Sequence, residues 1–339
     1  MRLCVGTSKG IVILDPDRRG TPVMVLADPS SIWCMAQDCG DPGLIYAGAT
    51  GFASMGNARG KGSLARSKDG GKTWTDITLS LARDEDVWAA AAPPDSPNEV
   101  FVGTSHARLF RSRDAGRSFV ECKRFLEVPG RDKWTFPPPP HIPHVRSIVF
   151  DRSNPGTMYV GVEEGGVIRS RDRGESFEVL NRGLYCDVHT IAIDPANSRR
   201  LYATTGGGFY LSEDSGGSWR RVTQGFNRSY TIPILVDSEQ TEVVYTAAAA
   251  GPPPMWMAGG GADALIFRSS DRGNTFEPIS DQAGPARGMM MRFARDPGDA
   301  GRFFGVMSDG TVFAARDHGG TVSQIAEKLP PAYDMVALA

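Results

Sequence analysis

An eight-residue pattern, Ser-x-Asp-x-Gly-x-Ser/Thr-aromatic, recurs five times along the chain and restricts its fold more than any other feature. It reads SKDGGKTW from Ser67, SRDAGRSF from Ser112, SRDRGESF from Ser170, SEDSGGSW from Ser212 and SSDRGNTF from Ser269. A worn sixth copy, ARDHGGTV, begins at Ala315, and a trace survives over residues 15–21. The copies follow short apolar runs such as Val167-Ile168 and Ile266-Phe267 and precede others, so each reads as the hairpin turn between two strands. The Asp can accept hydrogen bonds from the turn's own N–H groups, the Gly permits positive φ, and the aromatic closes the hairpin onto the core. A fixed internal period makes one repeat-built domain a better account of 339 residues than two separate domains.

The octet resembles the Asp-box, or BNR repeat, of sialidase-like and sortilin-like β-propellers and of photosystem II assembly factors. In those families the box is structural, which implies that the box aspartates here are scaffold rather than catalytic residues.

With each box as the turn between the third and fourth strands of a unit, the other strands fall into place. Inner strands occupy residues 32–36, 87–92, 145–150, 188–193, 232–236 and 289–293, and second strands are LIYAG, VFVGT, MYVGV, LYATT, VVYTA and FFGVM. The N-terminal piece, with LCVGT, GIVIL and PVMVL, lacks a first strand, and the C-terminal YDMVALA reads as a lone inner strand. The expectation is an all-β, seven-bladed β-propeller of four-stranded antiparallel blades, one domain over 1–339, its ring closed by the C-terminal strand. Blade 1 comprises 1–27 plus 333–339, blade 2 31–80, blade 3 86–125, blade 4 144–181, blade 5 187–224, blade 6 230–280 and blade 7 287–328.

A net charge of −2 and a pI near 6.2 argue against broad nucleic-acid or anionic-membrane binding. No stretch of about 18 apolar residues occurs, and MRLCVGTSKGIVIL lacks a signal-peptide core, so a soluble cytoplasmic protein is expected. Five cysteines, Cys4, Cys34, Cys39, Cys122 and Cys186, show no zinc-like double pair and read as reduced thiols. The glycine runs at 206–208 and 259–261 lack the strand-to-helix context and the lysine of a phosphate loop, and no GxSxG elbow is present.

The boxes and the first-to-second-strand connections share one face and are short. Insertions at 50–61, 122–143 and 247–264 load the other face, where function is expected. Its channel mouth should be ringed by Ser31, Trp33, Asp86, Trp88, His144, Arg146, Asp187, His189, Tyr230, Arg287, Tyr333 and Asp334, with Lys9, His106, Glu163, Glu164 and Asp309 from adjoining loops. Four of the five histidines, His106, His141, His144 and His189, belong to this side of blades 3 to 5, and His318 sits in the worn box.

His106, His144, His189 and Glu163 form a candidate set for zinc, manganese or iron(II); the alternative is a polar pocket whose imidazoles bond to carboxylates and water. Asp187 is the candidate base or orienter, His144 and Glu163 carry protons or metal, and Arg146 holds an anionic group. The leading expectation is a hydrolase or lyase acting on a small polar or anionic substrate. The competing one is a non-catalytic propeller that binds a protein partner through Trp134 and Trp256, each beside a proline-rich run. A third is a glycosidase of sialidase-like fold. That resemblance implies three substrate-holding arginines and an Arg-Ile-Pro motif. The motif is absent here, and Arg146 and Arg287 are the ring arginines the strand placement supplies. A two-carboxylate glycosidase using Asp86, Asp187 or Glu163 stays open.

Overall fold

In the computed structural model, which describes residues 1–18, 21–29, 31–52, 62–78, 86–279 and 286–339, the described strands form seven four-stranded antiparallel sheets arranged as a propeller. The inner strands Ile32–Gln37, Val87–Ala91, Val145–Phe150, Val188–Asp194, Tyr230–Val236, Met290–Arg295 and Ala332–Leu338 pack each against the next, the last against the first. Blade 1 joins both ends of the chain, because Ala332–Leu338 pairs antiparallel with Arg2–Thr7, Leu338 opposite Arg2 and Met335 opposite Val5. The expected fold and its mode of closure are both present.

The second strands are buried almost throughout, apart from the start of Asn197–Thr205, and this follows from their content. Tyr46, Phe101, Tyr159, Tyr202, Tyr245 and Phe304 are each 0 to 1 % exposed, one from each of blades 2 to 7. Several lie beneath the box glycine of the following blade: a Cβ at Gly116 would meet Tyr46, one at Gly174 Phe101 and one at Gly273 Tyr202. A second glycine in the strand admits the next blade's inner strand, since a Cβ at Gly103 would lie 2.4 Å from Cγ1 of Val145. Blade-to-blade packing therefore depends on large residues on one side and the absence of a side chain on the other.

The five full boxes close identically. In the Ser112 copy, the Ser112 hydroxyl lies 2.8 Å from Oδ1 of Asp114 and accepts the Gly116 N–H at 2.8 Å, while Asp114 accepts the Ser118 N–H at 2.9 Å and the Ser118 hydroxyl at 2.6 Å. Gly116 has φ +76°. Donors from the turn stabilise the ionised carboxylate, so Asp69 and Asp114 are held down at about 2, chiefly by the Thr73 and Ser118 hydroxyls. The aspartates are fully engaged in their own turns, as a scaffold role requires.

Among the insertions, 122–143 contains the 3₁₀ turns Lys123–Glu127 and Arg131–Lys133, and 247–264 contains the short helix Pro253–Gly259. Of the insertion at 50–61, residues 53–61 lie outside the described residues, as do the tails of blades 2 and 6 and part of the 15–21 trace. All five cysteines are free, and no helix among the described residues is long and apolar enough to cross a membrane.

Candidate active site at the channel mouth

Every inner strand carries a register shift near its start, and the residue the ladder skips is turned into the central channel. The skipped residues include Trp33, Trp88, Arg146, His189, Ile232, Met291 and Tyr333, one from each blade, and these seven line a central cavity of about 110 Å³. Trp33 stacks on Tyr333 at 4.3 Å and meets Trp88 at a 53° tilt at 4.8 Å, and Trp88 stacks on His144 at 4.0 Å. The Arg146 guanidinium lies 5.1 Å and 5.8 Å from the Trp33 and Trp88 rings. One arc of the mouth is thus an aromatic wall capped by a cation.

The adjoining arc, from blades 4 and 5, carries the titratable groups. Nε2 of His144, a fully buried residue, donates to Oε2 of Glu163 at 2.9 Å, and Nε of Arg146 lies 3.5 Å from the same oxygen. Burial alone would raise the Glu163 carboxyl, but His144 and Arg146 outweigh it and bring it down to about 2. Arg146 is therefore already matched with a carboxylate and stacked on two indoles.

His189 is oriented from behind. Its Nδ1 donates to the Thr231 carbonyl at 2.6 Å, which leaves Nε2 to face Oδ1 of Asp187 at 3.4 Å. Those two atoms are buried, and apart from facing each other at ion-pair distance neither has a hydrogen-bond partner. Burial lowers the His189 pKa, yet the Asp187 and Glu163 carboxylates overcome that and raise it. One ligand atom each from Glu163, Asp187 and His189 falls within 4.8 Å of the others. The Glu163 to Asp187 oxygen separation is then well under the roughly 6.5–9.5 Å that an inverting glycosidase uses.

The remaining candidates are distributed elsewhere. His106 is exposed at φ +59°, its carbonyl accepting from Arg131 at 2.7 Å, and is outside the converging set. His141 bonds through Nδ1 to the Phe136 carbonyl at 2.8 Å. Asp86 accepts the Gly51 N–H at 2.5 Å and serves the loop. Asp334 accepts the Met35 N–H at 2.6 Å and lies 3.1 Å from Arg292, a cation lining the central cavity that the sequence reading did not single out. Trp134 and Trp256 do not form the expected exposed patch. Trp134 packs on Phe125 at 5.6 Å, and Trp256 meets Tyr230 edge-on at 5.6 Å with its Nε1 bonded to the Gly251 carbonyl, because each closes its insertion onto the propeller.

Residues 266–279 match the BNR-Asp box repeat. A xyloglucanase of Hypocrea jecorina (strain QM6a) is 24% identical over 269 residues, which are 66% of this chain and 30% of that protein. The crystal structure of the GH74 xyloglucanase from Xanthomonas campestris has a TM-score of 0.71 at 18% identity, covering 99% of this chain and 52% of that one. A structure of YCF48 bound to D1 peptide has a TM-score of 0.61 at 14% identity, covering 91% of this chain and 87% of that one. The chain spans under a third of the length of the curated relatives it matches. At these identities the solved structures speak for the fold.

Proposed function

Starting from a chain that is an Asp-box (BNR) repeat β-propeller, we propose that it is a hydrolase acting on a small polar or anionic substrate at its channel mouth, around a divalent cation held by Glu163, Asp187 and His189. The observation that carries this reading is the facing pair of partnerless atoms, Nε2 of His189 and Oδ1 of Asp187, both buried and 3.4 Å apart. Two ligands at about 2.1 Å from a tetrahedral cation are separated by about 3.4 Å. A carbonyl bonded to Nδ1 also fixes the tautomer that presents Nε2 as a ligand.

One nitrogen and two carboxylate donors suit zinc, manganese or iron(II), and such a cation would supply an activated water. His144 and Arg146 then act as positioning residues, holding Glu163 ionised and in place. The class of reaction draws support from the xyloglucanases among the relatives, which are hydrolases.

The test is metal analysis of the purified chain, followed by calorimetric titration of chelator-treated protein with zinc and manganese. One equivalent should bind, Asp187→Asn and His189→Gln should each lose at least about tenfold in affinity, and His106→Ala should bind normally. Failure of both metals to bind wild-type protein removes the reading. A second reading, a peptide-binding propeller, is supported by the fold shared with YCF48 and by Met255 standing 57% exposed at the end of an insertion. It calls for partner capture that Met255→Asp abolishes and Asp187→Asn does not.

A further inference from the structure

The three glycines at 206–208 serve three different neighbours. A Cβ at Gly206 would sit 2.1 Å from Oδ2 of Asp187, one at Gly207 would strike the Tyr185 ring at 2.7 Å, and one at Gly208, where φ is +123°, would come within 3.0 Å of Nε of Arg221. One face of this turn therefore backs the carboxylate of the proposed cation site. Its end opens into a cleft of about 310 Å³ between blades 5 and 6, a volume at the lower end of small-molecule sites.

The chemistry of the cleft is one-sided. Its polar lining is Arg221, Arg228, Asn227, Thr223 and Ser229, and no carboxylate lines it among the described residues. Arg228 is neutralised by Asp263, 2.9 Å from its Nη2. The Asn227 oxygen accepts from Arg228 Nη1 at 2.8 Å, which leaves the Asn227 NH₂ group as a donor. Arg221, by contrast, has no carboxylate partner among the described residues. The result is a concavity presenting a free guanidinium, an amide N–H and two hydroxyls, the complement of an oxyanion. Gly208 at the cleft and Gly206 at Asp187 are two residues apart, which limits their separation to about 7 Å.

We propose that this cleft is an anion subsite that seats a carboxylate or phosphate group of the substrate while the reacting end lies over Glu163, Asp187 and His189. The role that the sequence assigned to Arg146 passes to Arg221, since Arg146 is matched with Glu163 and Arg221 is not. The subsite rests on the hydrolase reading for what the ligand does there, though not for its existence.

Inorganic phosphate is the probe, titrated against chelator-treated full-length protein so that it meets no cation, with acetate as a competing carboxylate. Phosphate should bind the wild type, Arg221→Gln should weaken it about tenfold or more, and Arg18→Gln, remote on the surface, should leave it unchanged. Zinc uptake and the thermal midpoint are measured on the same variants, and both should be unaltered in Arg221→Gln. Displacement of phosphate by acetate assigns the cleft to carboxylates as well, and its absence assigns it to phosphate esters; either outcome supports the subsite. Loss of phosphate in Arg221→Gln, together with no zinc uptake by any variant, keeps the subsite and removes the cation. Wild type that takes up neither anion at millimolar concentration, or Arg221→Gln that binds phosphate as wild type does, overturns the proposal.

Discussion

Gly206 and Asp187 are in such close approach that a single methyl group on the glycine would lie 2.1 Å from the carboxylate oxygen Oδ2. The carboxylate is the softer of the two, because its side chain can rotate whereas the turn is held by the Gly206 N–H bond to the Asp187 carbonyl at 3.0 Å. Gly206→Ala should therefore turn Asp187 away from His189 at a stability cost of about 1 kcal/mol, near the low end for overpacking. Zinc affinity is expected to fall about tenfold or more while the thermal midpoint shifts by a few degrees. Unchanged affinity in a folded Gly206→Ala protein would show that Asp187 is not a ligand.

The His144–Glu163 pair makes a second expectation about stability. Removing the imidazole leaves Glu163 buried with Arg146, at 3.5 Å, as its remaining cation, and opens the stack between Trp88 and Phe136. His144→Ala should cost about 3 kcal/mol, the usual scale for breaking a buried pair. Urea denaturation measures it directly. A cost below about 1 kcal/mol would mean that the pair is solvated, as exposed ion pairs are.

Why the scaffold could be read from the chain, and much of the site could not, is visible in particular residues. Each box writes its own turn, since Ser112, Asp114, Gly116 and Ser118 bond to one another within seven residues. Strand positions follow by counting from such turns. The convergence of Glu163, Asp187 and His189 was approachable for the same reason, as all three lie at strand ends on the loop-bearing face. What the pattern does not record is the bulge in each inner strand, a backbone event that sends Trp33 and Arg146 into the channel together. Arg146 thereby acquires Glu163 and two indoles as neighbours, a pairing no spacing rule encodes. His106 left the set because its backbone turns to positive φ and exposes the ring. The two tryptophans of the insertions are partly buried, because how far a loop's own aromatic packs depends on how the loop folds back.

The box aspartates, together with Glu163, contribute to the acid limit of the fold. Their carboxylates titrate below the ordinary range, at about 2 for Asp69 and Asp114, because hydroxyl and backbone donors favour the ionised form. A depressed folded pKa gives stability that is complete above the unfolded value and is lost as pH falls through the folded one. Stability should thus hold down to about pH 4 and decline between about pH 4 and 2. In Asp114→Asn the neutral-pH stability should drop, and the slope in that acid window should lessen because one titrating box is gone. Denaturant midpoints across pH 2.5 to 5 test this, and an unaltered slope in the variant would remove Asp114 as a contributor.

Closure of the ring makes the last strand disproportionately important. Met335 is 1% exposed and packs with Leu3, Val5 and Val306, while the side-chain carboxylate of the neighbouring Asp334 accepts the Met35 N–H at 2.6 Å. Val23, on the outer strand of the same blade, is 59% exposed. Met335→Ala should cost about 2–5 kcal/mol and Val23→Ala within about 0.5 kcal/mol, although both lie in one sheet. Removal of residues 332–339 goes further, leaving Arg2–Thr7 as an unpaired edge at the centre of the ring and freeing the inner strands of blades 2 and 7 from their shared neighbour. The truncated chain should lose its single cooperative transition and self-associate through that edge. Calorimetry and light scattering on the two proteins decide the matter: a truncated chain that stays monomeric and melts in one step near the wild-type midpoint would mean that the C-terminal strand does not lock the ring.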